Sequence, residues 1–153
     1  MRIESETETA GRRRVMAVLA RSERVDIDKQ IGAIEALPRG RNVRPVQIGL
    51  VMLRGRIAGI GAPFNLGEAT VTRAVVRLPT GETGFSYVFG RDEEKANRAA
   101  LVDALWQCPK WRATVESEII APLAQMLRRK DAVAAAETAA TRVDFFTLVR
   151  GED

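Results

Sequence analysis

Three arginines are the residues of this sequence whose type and spacing could bind an anion. Arg73 and Arg77 lie four positions apart in a run typical of a β-strand, so their side chains share one face, about 13 Å apart at roughly 3.3 Å per residue. Arg91 precedes the predicted start of a helix, where anions bind readily. A guanidinium pairs in bidentate fashion with a carboxylate or a phosphate. The three arginines therefore predict either an anion site or ion pairs, made with the chain's own helices or with a neighbouring protein.

The sequence lacks the residue types from which most catalytic and metal sites are built. It contains no histidine, which removes the usual general base, the usual zinc ligand and any Ser-His or Cys-His pair. It has no P-loop, and the residues after Gly59 and Gly61 break the dinucleotide-binding pattern. We therefore expect no metal and no cofactor on this chain, and the sequence identifies no catalytic residue. Ion pairs are the better interpretation of Arg73 and Arg77, because no phosphate-binding element lies beside them.

The composition is typical of a single globular domain. The 153 residues are 46% hydrophobic and 29% charged, and the longest apolar run, residues 48–53, is far shorter than the roughly 20 residues of a membrane span. The first residues lack the apolar core of a secretory signal. Cys108 is the single cysteine, which excludes an internal disulfide and indicates a reducing compartment. These features predict a cytoplasmic protein without a membrane partner.

The charge balance argues against a nucleic-acid partner. The net charge is +4, and 20 of the 24 basic residues are arginine. These charges are dispersed along the chain, with one tight cluster at Arg12, Arg13 and Arg14. No aromatic residue interleaves with that cluster to stack on bases, so we interpret it as the solvated face of a helix.

The first half of the chain predicts a helical opening followed by a strand. Residues 1–8 are acidic and contain Ser and Thr, and we interpret them as a flexible leader to a single domain of residues 9–153. Apolar residues at helical spacing then predict a helical hairpin or one kinked helix, and they are Val15, Val18, Leu19, Ile27, Ile31 and Ile34. Residues 46–53 alternate, with apolar side chains on both faces, as in a strand that is covered on both sides.

A β-hairpin is the clearest unit of the sequence. Ala69–Leu78 and Gly84–Gly90 are β-prone runs, and the residues that join them, Pro79 to Glu82, are typical of a turn. The first strand would place Arg73 and Arg77 on one face, and the second would place its aromatic side chains together.

Two helices are predicted after the hairpin. Asp92 is suited to cap the first, Pro109 ends it, and Pro122 fits the first turn of the second. The second helix would turn four apolar residues inward: Leu123, Met126, Leu127 and Val133. The fold class is therefore α+β, with a helical N-terminal hairpin, a small antiparallel sheet with a central hairpin, two C-terminal helices and an apolar docking tail.

The C-terminal tail is unusually apolar for a chain end. Four large apolar side chains and an arginine lie within six positions: Phe145, Phe146, Leu148, Val149 and Arg150. Chain termini stay ordered only when they dock. We therefore predict that these residues form an interface, either with the body of the chain or with a partner.

Four segments of the sequence resemble one protein family. They are Gly67–Leu78 (GEATVTRAVVRL), Phe85–Asp92 (FSYVFGRD), Thr141–Gly151 (TRVDFFTLVRG) and the shorter Ile120–Leu123 (IAPL). Within a likeness that runs from about Val15 to Gly151, these strings are similar to the G subunit of the bacterial phosphonate carbon–phosphorus lyase core complex. The strings are long and unlike any common motif.

The resemblance implies a role in a cytoplasmic multi-subunit complex with the family's H, I, J and K subunits, subunit I being the closest contact. In that pathway the G, H and I subunits, helped by an ATP-binding-cassette-like L subunit, replace the adenine of ATP with a phosphonate. The product is a ribose 1-phosphonate 5-triphosphate, whose carbon–phosphorus bond a radical iron–sulfur subunit later cleaves. The chain would then be a non-autonomous subunit of a transferase, ribose 1-methylphosphonate 5-triphosphate synthase, in organic phosphonate catabolism. ATP would be a substrate of the complex, and metal chemistry would belong to other subunits.

A function of another class stays open from the residues themselves. A free-standing cytosolic module for binding or regulation would hold a phosphorylated ligand with Arg73, Arg77 and Arg91. Such a module would be a monomer or dimer that binds its ligand unaided, whereas a subunit would require its partners.

Overall fold

The computed structural model describes residues 2–57 and 61–141. Over these residues the fold is α+β, as the sequence predicts, because a four-stranded antiparallel sheet packs against a layer of helices. The α-helices are α1 (Arg2–Arg21), α2 (Arg24–Gly32), α3 (Glu93–Gln107), α4 (Pro109–Thr114) and α5 (Ala121–Ala140).

The sheet is built around its longest strand. The strands are β1 (Arg41–Asn42), β2 (Gln47–Gly55), β3 (Phe64–Arg77) and β4 (Thr83–Phe89). Strand β3 pairs with β1 and β2 along one edge and with β4 along the other, and every pair is antiparallel. The β3–β4 pair is the predicted hairpin. Gly81 closes its turn with a φ of 108°, a conformation that suits glycine and strains other residues.

The core lies between the sheet and α3. In the second half of β3 the residues that face α3 are buried, and they are Thr72, Ala74 and Val76, followed by Leu78 just after the strand. Strand β4 approaches α3 so closely that a Cβ added to Gly84 would lie 2.0 Å from the carbonyl oxygen of Ala100. Glycine on the strand and alanine on the helix therefore set the distance between the two layers.

Helix α1 begins earlier than the sequence predicts. Residues 2–8, the expected flexible leader, have helical backbone, and Glu8 pairs with Arg112 at 2.5 Å. Glu8 also attracts Arg12 one turn further along α1, an arrangement that stabilises a helix. These two attractions stabilise the helix around Glu8. The division into a leader of residues 1–8 and a domain of residues 9–153 stays a prediction.

The helices after the sheet begin and end close to where the sequence predicts. Asp92 caps α3, since its carboxylate accepts a hydrogen bond from the amide of Lys95 at 2.8 Å. Pro109 begins α4 directly after α3 ends. A π-helical segment, Val115–Ile120, joins α4 to α5. Pro122 lacks the amide hydrogen that would bond to the turn before it, and this accounts for the wider turn at that place.

The second half of α5 is uncovered. Leu123 is buried and Met126 is partly buried, as predicted, but Val133 is 58% exposed, so its predicted inward position is wrong. Every residue from 128 to 140 is exposed. At about 1.5 Å per residue, this half of the helix extends about 20 Å past the last residues that pack on the core.

Strand β2 is open on both faces. Ile48, Leu50 and Met52 are between 45% and 62% exposed, so, contrary to the prediction, the described residues do not cover the strand on both sides. The reason lies in the lengths of the strands. The helices pack on β4 and on the second half of β3, and β2 pairs mainly with the first half of β3, beyond the helical layer.

The C-terminal tail lies outside the described residues, with the candidate interface at Phe145, Phe146, Leu148, Val149 and Arg150. Among the helices that the structure does describe, none combines the length and the apolar character needed to cross a membrane.

Candidate functional site on the open face of the sheet

The face of the sheet that points away from α3 carries two of the predicted arginines. Because side chains alternate along a strand, Arg73 and Arg77 share this face with Val71 and Val75. Antiparallel pairing places residues of the other strands directly beside them. The rows across the sheet are Arg41–Arg77–Thr83, Val75–Phe85, Gln47–Arg73–Tyr87 and Gly49–Val71–Phe89.

Arg73 is held by both neighbouring strands. Its Nε donates to Oε1 of Gln47 at 2.9 Å, and its Nη1 donates to the hydroxyl of Tyr87 at 3.3 Å. The guanidinium therefore bridges β2 and β4 through neutral partners. Its positive charge has no carboxylate partner among the side chains that the structure describes, those of residues 8–57 and 61–141.

Arg77 lies opposite another arginine. Its direct partner across the strands is Arg41, and both side chains are exposed. Arg77 Nε donates to the hydroxyl of Thr83 at 3.1 Å, but neither arginine pairs with a carboxylate in the described part of the chain. Like charges directly opposite each other destabilise a sheet. The pair is therefore suited to an anion that comes from outside the chain.

Aromatic side chains of β4 share this face with the arginines. Phe85, Tyr87 and Phe89 project at every second residue, and Phe89 is 70% exposed. The guanidinium of Arg12 lies 5.7 Å from the ring centre of Phe85, within the range of a cation–π contact. We name this surface the arginine–aromatic face, and its residues are Arg41, Arg73, Arg77, Phe85, Tyr87 and Phe89.

The positive charge of the chain is concentrated in the segment that contains β1, β2 and β3. Residues 39–77 contain seven arginines and one acidic residue, Glu68, a net charge of +6, while the remaining residues hold 17 basic and 19 acidic side chains, a net charge of −2. The interpretation of a dispersed charge is therefore wrong. A count of charges by predicted element, in place of a search for tight clusters, would have found this signal.

Arg91 is separate from the other two predicted arginines. It follows β4 and Gly90, next to the capping residue Asp92, and its side chain is exposed. Neither a hydrogen bond nor an ion pair involves Arg91 among the residues that the structure describes. The predicted ion pairs of Arg73 and Arg77 with the chain's own helices do not form there either. Ion pairs with a neighbouring protein stay a prediction.

A buried ion pair that the sequence does not reveal lies behind β4. The carboxylate of Asp103 is fully buried and accepts hydrogen bonds from Arg12 at 2.9 and 2.7 Å and from the amide of Phe85 at 2.8 Å. The hydrogen bond to Asp103 raises the pKa of Arg12 further above its usual value. Arg14 pairs with Glu116 at 2.6 Å. The interpretation of Arg12–Arg14 as the solvated face of a helix is therefore wrong, because two of these arginines join α1 to other helices.

A cleft of about 380 Å³ opens beside this ion pair, between α1 and the end of α3. Its lining residues are Glu8, Thr9, Arg12, Glu82, Trp106 and Gln107. The guanidinium of Arg12 is committed to Asp103, and Glu8 pairs with Arg112. Hydrogen bonding to Thr80 lowers the pKa of Glu82. Among the described residues, the lining therefore offers no unpaired cation to a phosphate.

Comparison with known proteins identifies the family. The family model for phosphonate metabolism protein PhnG matches residues 10–151. The chain belongs to the PhnG family. It is also 50% identical over 144 residues to a curated relative from Rhizobium meliloti (strain 1021), a match that covers 94% of this chain and 92% of the relative. That relative is named alpha-D-ribose 1-methylphosphonate 5-triphosphate synthase subunit PhnG.

The PhnG match includes every strand of the sheet and therefore the whole arginine–aromatic face. Within the described residues of this PhnG family member, no group of three or more acidic or cysteine side chains is placed to hold a metal ion. What the open face offers chemically is positive charge, hydrogen-bond donors and aromatic surface. These groups are of the kind that binds anions, and none of them is a general base or a nucleophile poised beside one.

Proposed function

We propose that the chain is a non-autonomous subunit of ribose 1-methylphosphonate 5-triphosphate synthase. The complex transfers a phosphonate to the ribose C1′ of ATP and releases adenine, in the catabolism of organic phosphonates. The function of the relative from Rhizobium meliloti, as its name gives it, supports this proposal, since half of the aligned residues are identical over nearly the full length of both chains. It also favours a subunit over the free-standing binding module.

The observation that carries the subunit role is an uncovered apolar ribbon. We call residues 47–55 and 64–70 of β2 and β3 the β2–β3 ribbon. It has two open edges, because β2 has no second neighbour among the described strands and β4 pairs with β3 only from Val71 onward. Leu50 and Leu66 are each 62% exposed on it. A two-stranded ribbon is at best marginally stable in water without a packed face. A partner protein that covers the ribbon supplies that face.

The partners we propose are the H, I, J and K subunits of the carbon–phosphorus lyase complex, with subunit I in closest contact. This choice rests on the resemblance and on membership of the PhnG family. The chain binds neither a metal nor a cofactor in this proposal, ATP is a substrate of the whole complex, and the site of action is the cytoplasm. The chain contributes binding surface rather than a reacting group, consistent with its lack of histidine.

Reconstitution tests the proposal. The chain is co-expressed with the H, I, J and K subunits, and adenine release from ATP and methylphosphonate is measured with the L subunit present. We expect release from the full mixture and none from the purified chain alone or from the mixture without it. Adenine release by the chain alone, or full release without it, would overturn the proposal.

A pair of variants tests the ribbon. Leu50→Thr combined with Met52→Thr keeps side chains suited to a strand but removes the apolar surface. Val25→Thr is the matched control, because Val25 is an equally exposed apolar residue on α2. We expect the ribbon variant to lower the yield of complex about tenfold, while the control assembles normally. Melting of each isolated chain shows whether the fold is intact. Normal assembly of the ribbon variant would show that the apolar surface of the ribbon is not needed for assembly.

A further inference from the structure

We propose that the arginine–aromatic face docks on an acidic surface of another subunit of the synthase. This inference rests on the proposed function and adds to it the place and the chemistry of one contact. The face adjoins the β2–β3 ribbon, since Gln47 of β2 holds Arg73, but its own six residues lie on β1, the second half of β3 and β4 and not on the ribbon.

The opposed arginines give the first reason. Arg41 and Arg77 are direct cross-strand partners, and neither has a carboxylate partner in the described part of the chain. A glutamate or aspartate at either position would form a favourable pair and stabilise the isolated sheet. Two arginines there repel each other until carboxylates from outside lie between them, so the arrangement favours the bound state over the free state.

The distribution of charge gives the second reason. Residues 39–77 carry a net charge of +6, and the rest of the chain carries −2. Three of these seven arginines, Arg41, Arg73 and Arg77, lie on the arginine–aromatic face, so an acidic surface is attracted to it. Such complementarity speeds encounter and fixes orientation, and both effects weaken as salt is added.

The aromatic residues favour a protein over a small anion as the partner of this face. Tyr87 and Phe89 are 52% and 70% exposed beside the arginines on an open sheet face, and small-molecule sites are usually concave. Tyrosine, phenylalanine and arginine together are the residues that protein interfaces concentrate at their centres. Arg73 is also fixed by Gln47 and Tyr87, which gives the face a rigid cation at its middle. A protein surface fits these features better than a nucleotide triphosphate does.

Charge reversal tests the inference with opposite effects on stability and assembly. Arg41→Glu places a carboxylate opposite Arg77, so the isolated chain should melt about 1–4 °C higher. The same change should lower the yield of the reconstituted complex about tenfold, and wild-type assembly should weaken at high salt. Arg128→Glu is the matched control. Arg128 is exposed on the uncovered half of α5 and lacks an ion pair within the described residues. This control should therefore neither raise the melting temperature of the isolated chain nor lower the yield of the complex.

The outcomes separate this inference from the proposed function. If wild-type chain restores adenine release and Arg41→Glu assembles as well as wild type, the docking surface is wrong while the subunit role stands. Normal assembly with a KM for ATP raised about tenfold would assign the face to the triphosphate and overturn the docking surface as well. Should Arg41→Glu fail to fold, Arg77→Gln repeats the test with a smaller change. If wild-type chain forms no complex and restores no adenine release, the subunit role itself is wrong, whatever the result for Arg41→Glu.

Discussion

The arginines of this chain differ in function because they differ in surroundings. Arg12 reaches a buried carboxylate, Arg73 is fixed by two neutral side chains, and Arg41 and Arg77 face each other. Arginine keeps its charge in all of these settings, whereas lysine loses its proton more readily when it is buried. Burial lowers the pKa of Lys95, and the attraction of Asp92 and Glu23 only partly opposes that effect.

The pair of Arg12 and Asp103 should be the most costly ion pair to break. Arg12→Met leaves the fully buried Asp103 without its cation, and removal of one partner from a buried pair costs about 3–5 kcal/mol. Arg12 is partly exposed, so we expect the free energy of unfolding to fall by about 3 kcal/mol. Urea unfolding measures the change. Arg13→Met is the control, since Arg13 is exposed on the same helix, and it should shift the free energy by less than about 0.5 kcal/mol. Equal effects of the two substitutions would contradict the role of the pair.

At the scale of elements, the sequence predicts those features that depend on a few neighbouring residues. The β3–β4 hairpin, the cap at Asp92 and the break at Pro109 follow from turn, capping and proline chemistry within a few residues, and the structure confirms them. The coverage of β2 and the inward position of Val133 depend on where other elements end, and both predictions were wrong. Apolar periodicity identifies a face that should be covered, but it does not say whether the cover comes from the same chain.

The joint between α5 and the start of α2 should respond to acid. Lys130 donates to Glu23 at 2.5 Å, and this hydrogen bond, together with the charge of Lys130, lowers the pKa of Glu23 below its usual value of 4.5. A lowered carboxyl pKa means that the pair contributes its stability above pH 4.5 and loses it as the pH falls through the folded-state pKa. Both groups are exposed, so the contribution is small and salt screens it.

Lys130→Ala should therefore raise the pKa of Glu23 toward its usual value. It should also lower the melting temperature slightly at neutral pH and not in strong acid. Carboxyl chemical shifts during a pH titration measure the first effect, and melting curves at both pH values measure the second. Lys29→Ala, which removes an exposed lysine from α2, should leave the titration of Glu23 unchanged. A Glu23 titration that is the same in wild type and in Lys130→Ala would show that the pair does not form in solution.

At the scale of the whole molecule, the two halves of the sheet have different environments. The second half of β3 lies under helices and completes the core, and the first half lies with β2 in a ribbon that no described helix covers. The sequence predicts the α+β class and the strand-borne arginines, because both follow from alternation and turns. It does not predict the Arg41–Arg77 opposition or the Asp103 pair, because a register and a contact over 91 positions are not visible in local patterns.

The tail prediction also belongs to this scale. Phe145, Phe146, Leu148 and Val149 are too apolar to remain in water, and burial of each side chain contributes about 1.5–3 kcal/mol. We expect deletion of residues 143–153 to abolish assembly of the complex or folding of the chain. Deletion of residues 151–153 alone keeps all four apolar side chains and is the control, which should assemble normally. Size exclusion of the co-expressed complex measures both variants, and a complex that forms without residues 143–153 would contradict the prediction.

The open edges of the β2–β3 ribbon have a consequence for the supply of this protein in the cell. Unpaired strand edges beside exposed Leu50 and Leu66 are templates on which a second copy of the ribbon can add. Self-association rises with concentration, so a chain made in excess over its partners competes with assembly by pairing with itself. We therefore expect the chain to self-associate when it is made in excess over its partners, so that efficient assembly depends on balanced synthesis of the subunits.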